Sequence, residues 1–309
     1  MAPTPLISVV IPCYNQGRFL ADAIGSIAKN SPSLPVEILV VDDGSADDTA
    51  KTVERFRGVI YMQQPNAGLA AARNKGLRAS RGAFVVFLDA DDMLAAGALD
   101  VGAATLTSHP DCAFVTGRCM MMDAGGALQP TPSQPRVTGD AYEELLRHNY
   151  IWMPGMAMFR RAAVVEAGGF DADVNAAADY ALYLRIARQS PVYDHGKVVA
   201  YYRQHDANMS TNAARMLRET LKVHGRERSR AALEPSGRAA FREGRRRWQE
   251  FYGTRLVEEI RAHVRAGEWR KAVAKATTLA RYHPRGLTHH SFRKMRLWVT
   301  RRHAAQGSA

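Results

Sequence analysis

The feature that most constrains the fold is a pair of nearly continuous apolar runs, 36-VEILVV-41 and 83-AFVVFL-88, each leading straight into carboxylates. A strand with one wet face alternates apolar and polar residues. A strand that is apolar at successive positions is covered on both faces. Three further β-rich runs, 6-LISVVI-11, 59-VIYMQ-63 and 112-CAFVTG-117, accompany them, with helical stretches near 17–29, 47–56, 68–79 and 95–107 in between. This alternation implies an α/β fold of parallel strands joined by right-handed crossovers. In such sheets ligands bind beyond the carboxyl ends of the strands.

The acids gather at those ends. The second run enters 42-DDGSADDT-49, the fourth enters 89-DADD-92, and the first enters 12-PCYNQG-17, whose glycine suits a helix start. All three ends should share one rim of the sheet. Local structure offers its own reading: Asp43 before Gly44-Ser45 forms a turn, and Asp47 or Asp48 caps the next helix. Acids at 89–92 also suit a helix N-terminus, which accounts for Asp92 better than for Asp89 or Asp91. A D-x-D at a strand end reads as an oxygen-ligand site for a divalent ion that keeps positions open for phosphate oxygens. The chain has no GxxxxGK[ST], no GxGxxG after the first strand, no GxSxG and no HExxH. A diphosphate carried by a metal, rather than by a glycine-rich loop, fits what remains.

Beyond residue 120 the pattern changes. The stretch 123-DAGGALQPTPSQPRVTG-139 reads as a loop. A smaller α+β portion follows, with a helix at 140–147, a strand 156-MAMF-159, helices near 160–167 and 178–189, and a strand 197-KVVAYYR-203. After the polar connector 204–212 the chain reads as helical, broken at 234-EPSG-237 and 282-YHPRG-286. In 269–282, Trp269, Ala272, Val273, Ala276, Leu279 and Ala280 fall on one helical face. The expected divisions are 1–120, 121–212 and 213–309.

A net charge of +12 suggests nucleic acid until it is divided. Residues 213–309 hold 24 Lys and Arg against 8 Asp and Glu, while residues 1–212 hold 18 against 22. The first two-thirds is therefore mildly acidic and suits a cation site better than a polyanion groove. With no zinc-finger spacing and no RNA-recognition aromatic motif, nucleic acid is not an expected partner. Three cysteines without metal spacing fit a reducing compartment. No run reaches the length of a membrane span, and MAPTPLIS lacks the basic start of a signal peptide. The expected location is cytoplasmic, with peripheral attachment to the inner face of the membrane through the basic helices.

Four ordered segments, SVVIPCYNQGRFLADAIGSI, EILVVDDGSADDT, NAGLAAARNKGL and FLDADD, resemble the nucleotide-binding half of family 2 glycosyltransferases with the GT-A fold. Further on, 155-GMAMFRRAAVVEAGGFD-171, 178-ADYALYLRIARQ-189 and 201-YYRQHDANMS-210 resemble the acceptor half. The resemblance covers about residues 6–212. It implies a GT-A fold with a mixed central sheet, here followed by a helical extension, and an inverting, metal-dependent transfer from a nucleotide-diphosphate sugar. Pro12, Tyr14 and Asn15 would line the nucleotide, and Asp43 would accept a hydrogen bond from a uracil or thymine ring N–H, pointing to a UDP- or dTDP-linked donor. Asn66, Gly68 and Asn74 would flank nucleotide and sugar. Asp89 and Ala90 would contact ribose or sugar, and Asp91 would bind a Mn²⁺ or Mg²⁺ ion bridging the diphosphate. Asp179 would be the catalytic base.

The family often has Glu-Asp-Tyr/Trp-Asp-Leu where this chain has Ala178-Asp179-Tyr180-Ala181-Leu182. The central acid is kept and both flanking acids are Ala, which motivates an alternative: a nucleotide-sugar-binding scaffold of weakened catalysis. A nucleotidyltransferase would want an N-terminal GxGTR-type loop, which is missing. Asp179 also reads as the N-cap of helix 180–189. His205 reads either as an ordinary polar residue or as a metal or phosphate contact. Trp152, Met153, Pro154 and Gly155 read as an acceptor platform or as core. The basic tail reads as solvated helix faces or as a dock for an anionic membrane, which suits a cell-surface glycan or lipid-linked acceptor.

Overall fold

The computed structural model describes residues 7–29 and 34–284. Residues 1–6 and 285–309 lie outside the described residues, and with them the MAPTPL start, the end of the 282–286 break and the last part of the basic region.

The first half alternates as expected: β1 (Ile7–Cys13), α1 (Gly17–Lys29), β2 (Val36–Asp42), α2 (Thr49–Glu54), β3 (Val59–Gln63), α3 (Leu69–Ala79) and β4 (Phe84–Phe87). β1, β2, β3 and β4 form a parallel block with β1 between β2 and β4. Every residue of β1 and β4 is buried, as the continuous apolar runs require.

The second half contributes β5 (Met93–Leu94), α4 (Ala98–Ser108), β6 (Phe114–Met122), β7 (Leu128–Gln129), α5 (Ala141–Arg147), β8 (Ala157–Arg160), α6 (Arg161–Glu166), α7 (Ala178–Ala187) and β9 (Val192–Arg203). The strand expected at 112–117 does not lie beside β4. β8 takes that place, antiparallel to both β4 and β6, so the sheet is mixed, in the order β3-β2-β1-β4-β8-β6-β9-β5, with β7 on β6. The helix expected from residue 95 begins at Ala98, after Gly97 in the left-handed region (φ 73°), because the chain first makes β5 against β9. Asp92 is therefore not at a helix N-terminus.

The rim expected from sequence forms. The Leu88 N–H donates to Val10 O at 2.9 Å, carrying the β1–β4 pairing past the end of β4, and the Asp43 N–H donates to Cys13 O at 2.8 Å. β9 ends on the same rim, where the Arg203 N–H donates to Asp92 Oδ1 at 2.8 Å.

By internal contacts the chain divides into residues 1–208 and 209–309. The second unit is helical, with α8 (Ala213–Arg226), α9 (Arg228–Ala231), α10 (Pro235–Arg265) and α11 (Trp269–Tyr282). Pro235 stands in the first turn of α10, where its missing N–H costs nothing. Ala213, Leu217, Leu221, Tyr252, Leu256, Val257 and Leu279 form this unit's own core. The apolar face expected on α11 is split. Ala272 and Leu279 are buried, whereas Trp269 is 63% and Val273 62% exposed. No helix among the described residues is long and apolar enough to cross a membrane.

Candidate active site

Asp91, just past β4, is buried, and its Oδ2 lies 2.9 Å from His205 Nε2 and accepts from Gln16 Nε2 at 3.1 Å. The His205 ring packs 4.9 Å from Phe19, and its Nδ1 is buried without a partner. Burial first, then the Asp89 charge, pushes the Asp91 carboxyl up, with the His205 hydrogen bond opposing. Asp92 is raised further by burial and by both neighbouring aspartates. Arg203, 1% exposed, braces this corner: Nε donates to Asp91 O at 2.7 Å, one terminal nitrogen to Ala124 O and the other to Asp22 Oδ2, each at 2.9 Å. Its guanidinium lies 4.8 Å over Phe19.

A second cluster adjoins it. Arg73, on α3 and 2% exposed, donates to Asp89 Oδ1 at 2.6 Å. Its charge also faces Asp179 in the first turn of α7. Burial raises the Asp179 carboxyl, Arg73 holds it down, and Asp89 pushes it up again. Asp179 is not the helix cap. Ala177 stands at that position, and Asp179 Oδ1 accepts the next N–H, that of Tyr180, at 2.8 Å. Ala178 and Ala181, which stand where the family often has acids, are both buried, so carboxylates there would lose solvation.

The loop before α3 carries the other expected donor contacts. Asp43, 2% exposed, spends its carboxylate on that loop: Oδ1 accepts from Gln64 Nε2 at 2.7 Å and Ala67 N at 2.9 Å, and Oδ2 from Gly68 N at 2.8 Å. Gly68, at φ 91°, precedes α3, and a Cβ there would stand 2.9 Å from Asn175 Nδ2. Asn175 in turn accepts the Ala70 N–H at 2.8 Å. Asn66 is exposed in the same loop, and Asn15 (φ 52°) and Tyr14 (51% exposed) are open on the neighbouring turn. Pro12, paired with Val41 inside the sheet, and Ala90 are buried. Asn74 lies on α3. Its Nδ2 donates to Phe170 O and its Oδ1 accepts the Phe170 N–H, both at 2.8 Å, so its amide ties α3 to the 170 loop.

The four residues expected as an acceptor platform differ in exposure. Met153, Pro154 and Gly155 are buried, and a Cβ on Gly155 would meet Met153 and Leu88, so these three are core. Half-buried Trp152 alone of the four presents surface. Gln16, Arg73, Arg203 and Asn175 carry no local sequence signal of these roles, because their partners are distant along the chain.

No group of three or more His, Cys, Asp or Glu side chains among the described residues is arranged to hold a metal ion. Asp91 and His205 nonetheless fit a divalent cation that takes its remaining ligands from a substrate. They offer one oxygen and one nitrogen, and a cation there would offset the burial and the Asp89 charge that raise the Asp91 carboxyl.

Residues 8–167, just over half of the chain, match the family model described as Glycosyl transferase family 2. Chondroitin synthase of Escherichia coli is 26% identical over 209 residues, 64% of this chain and 29% of that protein. An uncharacterized protein of Mycobacterium tuberculosis is 30% identical over 204 residues, 61% of this chain and 64% of that protein. The chain thus matches less than two-thirds of the length of either relative. Among solved structures, Staphylococcus aureus TarS 1–349 with UDP-GlcNAc aligns at TM-score 0.57 and 22% identity, covering 71% of this chain and 65% of that one. The mannosyltransferase PcManGT from Pyrobaculum calidifontis, with GDP-Man and Mn²⁺, aligns at TM-score 0.59 and 20% identity, covering 92% and 82%.

Proposed function

Because the chain belongs to glycosyl transferase family 2 and has the GT-A fold, we propose that it moves a sugar, with inversion, from a UDP- or dTDP-linked donor to a hydroxyl of a cell-surface glycan or lipid-linked acceptor. The observation that carries this reading is that Asp89, bonded to the buried Arg73, stands between two acids from distant segments: Asp91, which pairs with His205, and Asp179 at the start of α7.

In this reading the nucleotide rests against exposed Tyr14 and Asn15 and the loop at Asn66 and Gly68. Asp43 serves by holding that loop, and Asp89 contacts ribose or sugar. Asp91 and His205 would hold a Mn²⁺ or Mg²⁺ ion, which when bound offsets charge on the departing diphosphate as a Lewis acid. Asp179 accepts the proton of the acceptor hydroxyl as that oxygen attacks the anomeric carbon opposite the leaving group. Its raised carboxyl suits proton transfer nearer neutral pH, and a general base typically contributes about 10²–10⁴-fold. The family resemblance, the TarS structure with UDP-GlcNAc and the Mn²⁺-bound mannosyltransferase support these assignments.

The test is a donor panel with Mn²⁺, followed by two variants. Asp91→Ala should abolish metal-dependent donor binding. Asp179→Asn should bind donor normally and lose transfer by at least about 100-fold. Full transfer by Asp179→Asn would remove the base assignment, and failure of every donor would favour the scaffold reading.

For the helical unit, we propose contact with an anionic membrane surface. The exposed Trp269 and Val273 stand one turn apart on α11 beside Arg270, within a region of 24 basic and 8 acidic residues. Aromatic residues flanked by Lys and Arg suit the membrane interface.

A further inference from the structure

We propose that Asn175 is a positioning residue that clasps the donor loop to the segment carrying Asp179, so that a nucleotide held by the loop also orders that segment. This rests on the reading of the loop at Asn66 and Gly68 as the donor site and of Asp179 as the base.

Helix α3 begins without a cap of its own. Gly68 stands at the cap position, at φ 91°, and makes no side-chain cap bond, while the first N–H groups of a helix have no partner within it. Asn175 Oδ1 supplies one, accepting the Ala70 N–H at 2.8 Å from 105 residues along the chain. Asparagine is among the best capping residues, and here it caps from the acceptor half. The same amide lies against the loop, since a Cβ on Gly68 would stand 2.9 Å from Asn175 Nδ2. From the other side Asp43, at the end of β2, holds the N–H groups of Ala67 and Gly68. The loop is thus gripped between a carboxylate of the donor half and an amide of the acceptor half.

Asn175 belongs to a short 3-10 helix, Ala172–Ala177, that runs directly into α7 and Asp179. That lead-in is itself fixed. Asp171 Oδ1 accepts the Asp173 N–H at 2.8 Å, and Val174 is buried where the helix breaks (φ −133°, ψ 47°). Arg185 of α7 donates to Gly169 O, and Asn74 ties Phe170 to the second turn of α3. The two ties to α3 differ in what they reach. Asn74 bonds the Phe170 backbone, whereas Asn175 bonds the turn that Gly68 opens. A ligand that orders the loop therefore restrains Asn175, and with it the four-residue approach to Asp179. By linkage the reverse also holds.

The experiment is hydrogen exchange of the full chain, read in peptides spanning 64–72 and 170–179, with and without saturating UDP plus Mn²⁺, or dTDP where UDP does not bind. Nucleotide Kd is measured alongside by calorimetry. In the unaltered protein the nucleotide should slow exchange in both peptides. Asn175→Ala should weaken nucleotide binding about fivefold and speed ligand-free exchange of both peptides about fivefold. It should keep the nucleotide's effect on 64–72 and lose it on 170–179. Asn175→Asp keeps an oxygen for the Ala70 N–H, at a helix end that favours a carboxylate, and should restore the linked response. Asn74→Ala loosens the same segment at Phe170 and should leave nucleotide Kd unchanged, the pattern that a mere packing role would also give Asn175→Ala. Slowing that spares 170–179 in the unaltered protein, or that survives there in Asn175→Ala, overturns the inference. If Asn175→Ala does not fold, Asn175→Ser, whose shorter side chain withdraws the acceptor, is read by the same criteria. Failure of both nucleotides to bind sinks the donor reading, and the ligand-free arm then decides the clasp. Faster exchange of both peptides in Asn175→Ala supports it, and unchanged exchange at 170–179 overturns it.

Discussion

Three hydrogen bonds end on the Asp43 carboxylate, and two of their donors are backbone N–H groups of Ala67 and Gly68. Hydrogen bonds to a buried charged group contribute more than those between neutral ones. Asp43→Ala should therefore lower stability by about 3 kcal/mol in denaturant titration. It should also weaken donor binding, since the loop bearing Asn66 and Gly68 loses its anchor. A near-neutral variant would mean that the loop holds itself. Asp43 was singled out in the sequence for its place at a strand end, and that place is right, but the partners that define its task lie more than twenty residues away. Asp92 makes the same point. Its local context reads as a helix start, while its actual partner is the Arg203 backbone, 111 residues on.

At the scale of elements, α3 joins the donor loop to the turn that carries Asp179. It is capped by Asn175, tied to Phe170 by Asn74, and bonded to Asp89 through Arg73. Asn74→Ala leaves the Phe170 N–H and C=O without their partner and should cost about 2 kcal/mol. Because the Asn74 amide is taken up by the Phe170 backbone, donor Kd should stay unchanged while kcat falls as the 170–179 segment loosens. A weakened donor Kd with normal kcat would restore Asn74 to the nucleotide site. The strands at 36–41 and 83–88 were legible because burial on both faces leaves an unbroken apolar run. β8 was legible as a strand but not as the neighbour of β4, since so short an apolar run carries no mark of which edge it will join. The split face of α11 was illegible for a similar reason. Periodicity gives an apolar stripe, and only the packing with α8 and α10 decides which part of it is covered.

For the whole molecule, charge and architecture divide together. The α/β unit is mildly acidic and the helical unit strongly basic. If the basic unit meets membrane, full-length protein should co-sediment with vesicles containing anionic lipid and not with neutral ones. Each clustered Lys or Arg near such a surface gains about 1 kcal/mol, and binding should fall steeply with salt. Trp269→Ala combined with Val273→Asp should weaken that binding without altering donor affinity. Equal sedimentation with neutral and anionic vesicles would count against the membrane.

β8 also governs when β4 can be covered on both sides. Phe84 pairs with Arg160 and Val86 with Met158, so one side of β4 has no partner until the chain has been made past residue 160. During synthesis the emerging β1–β4 block would expose an apolar strand edge for the time taken to add more than seventy residues. Such edges recruit other chains, and distant pairings close slowly. The strand that covers the open side of β4 therefore also ends an interval in which the ribosome-bound chain carries an edge open to other strands.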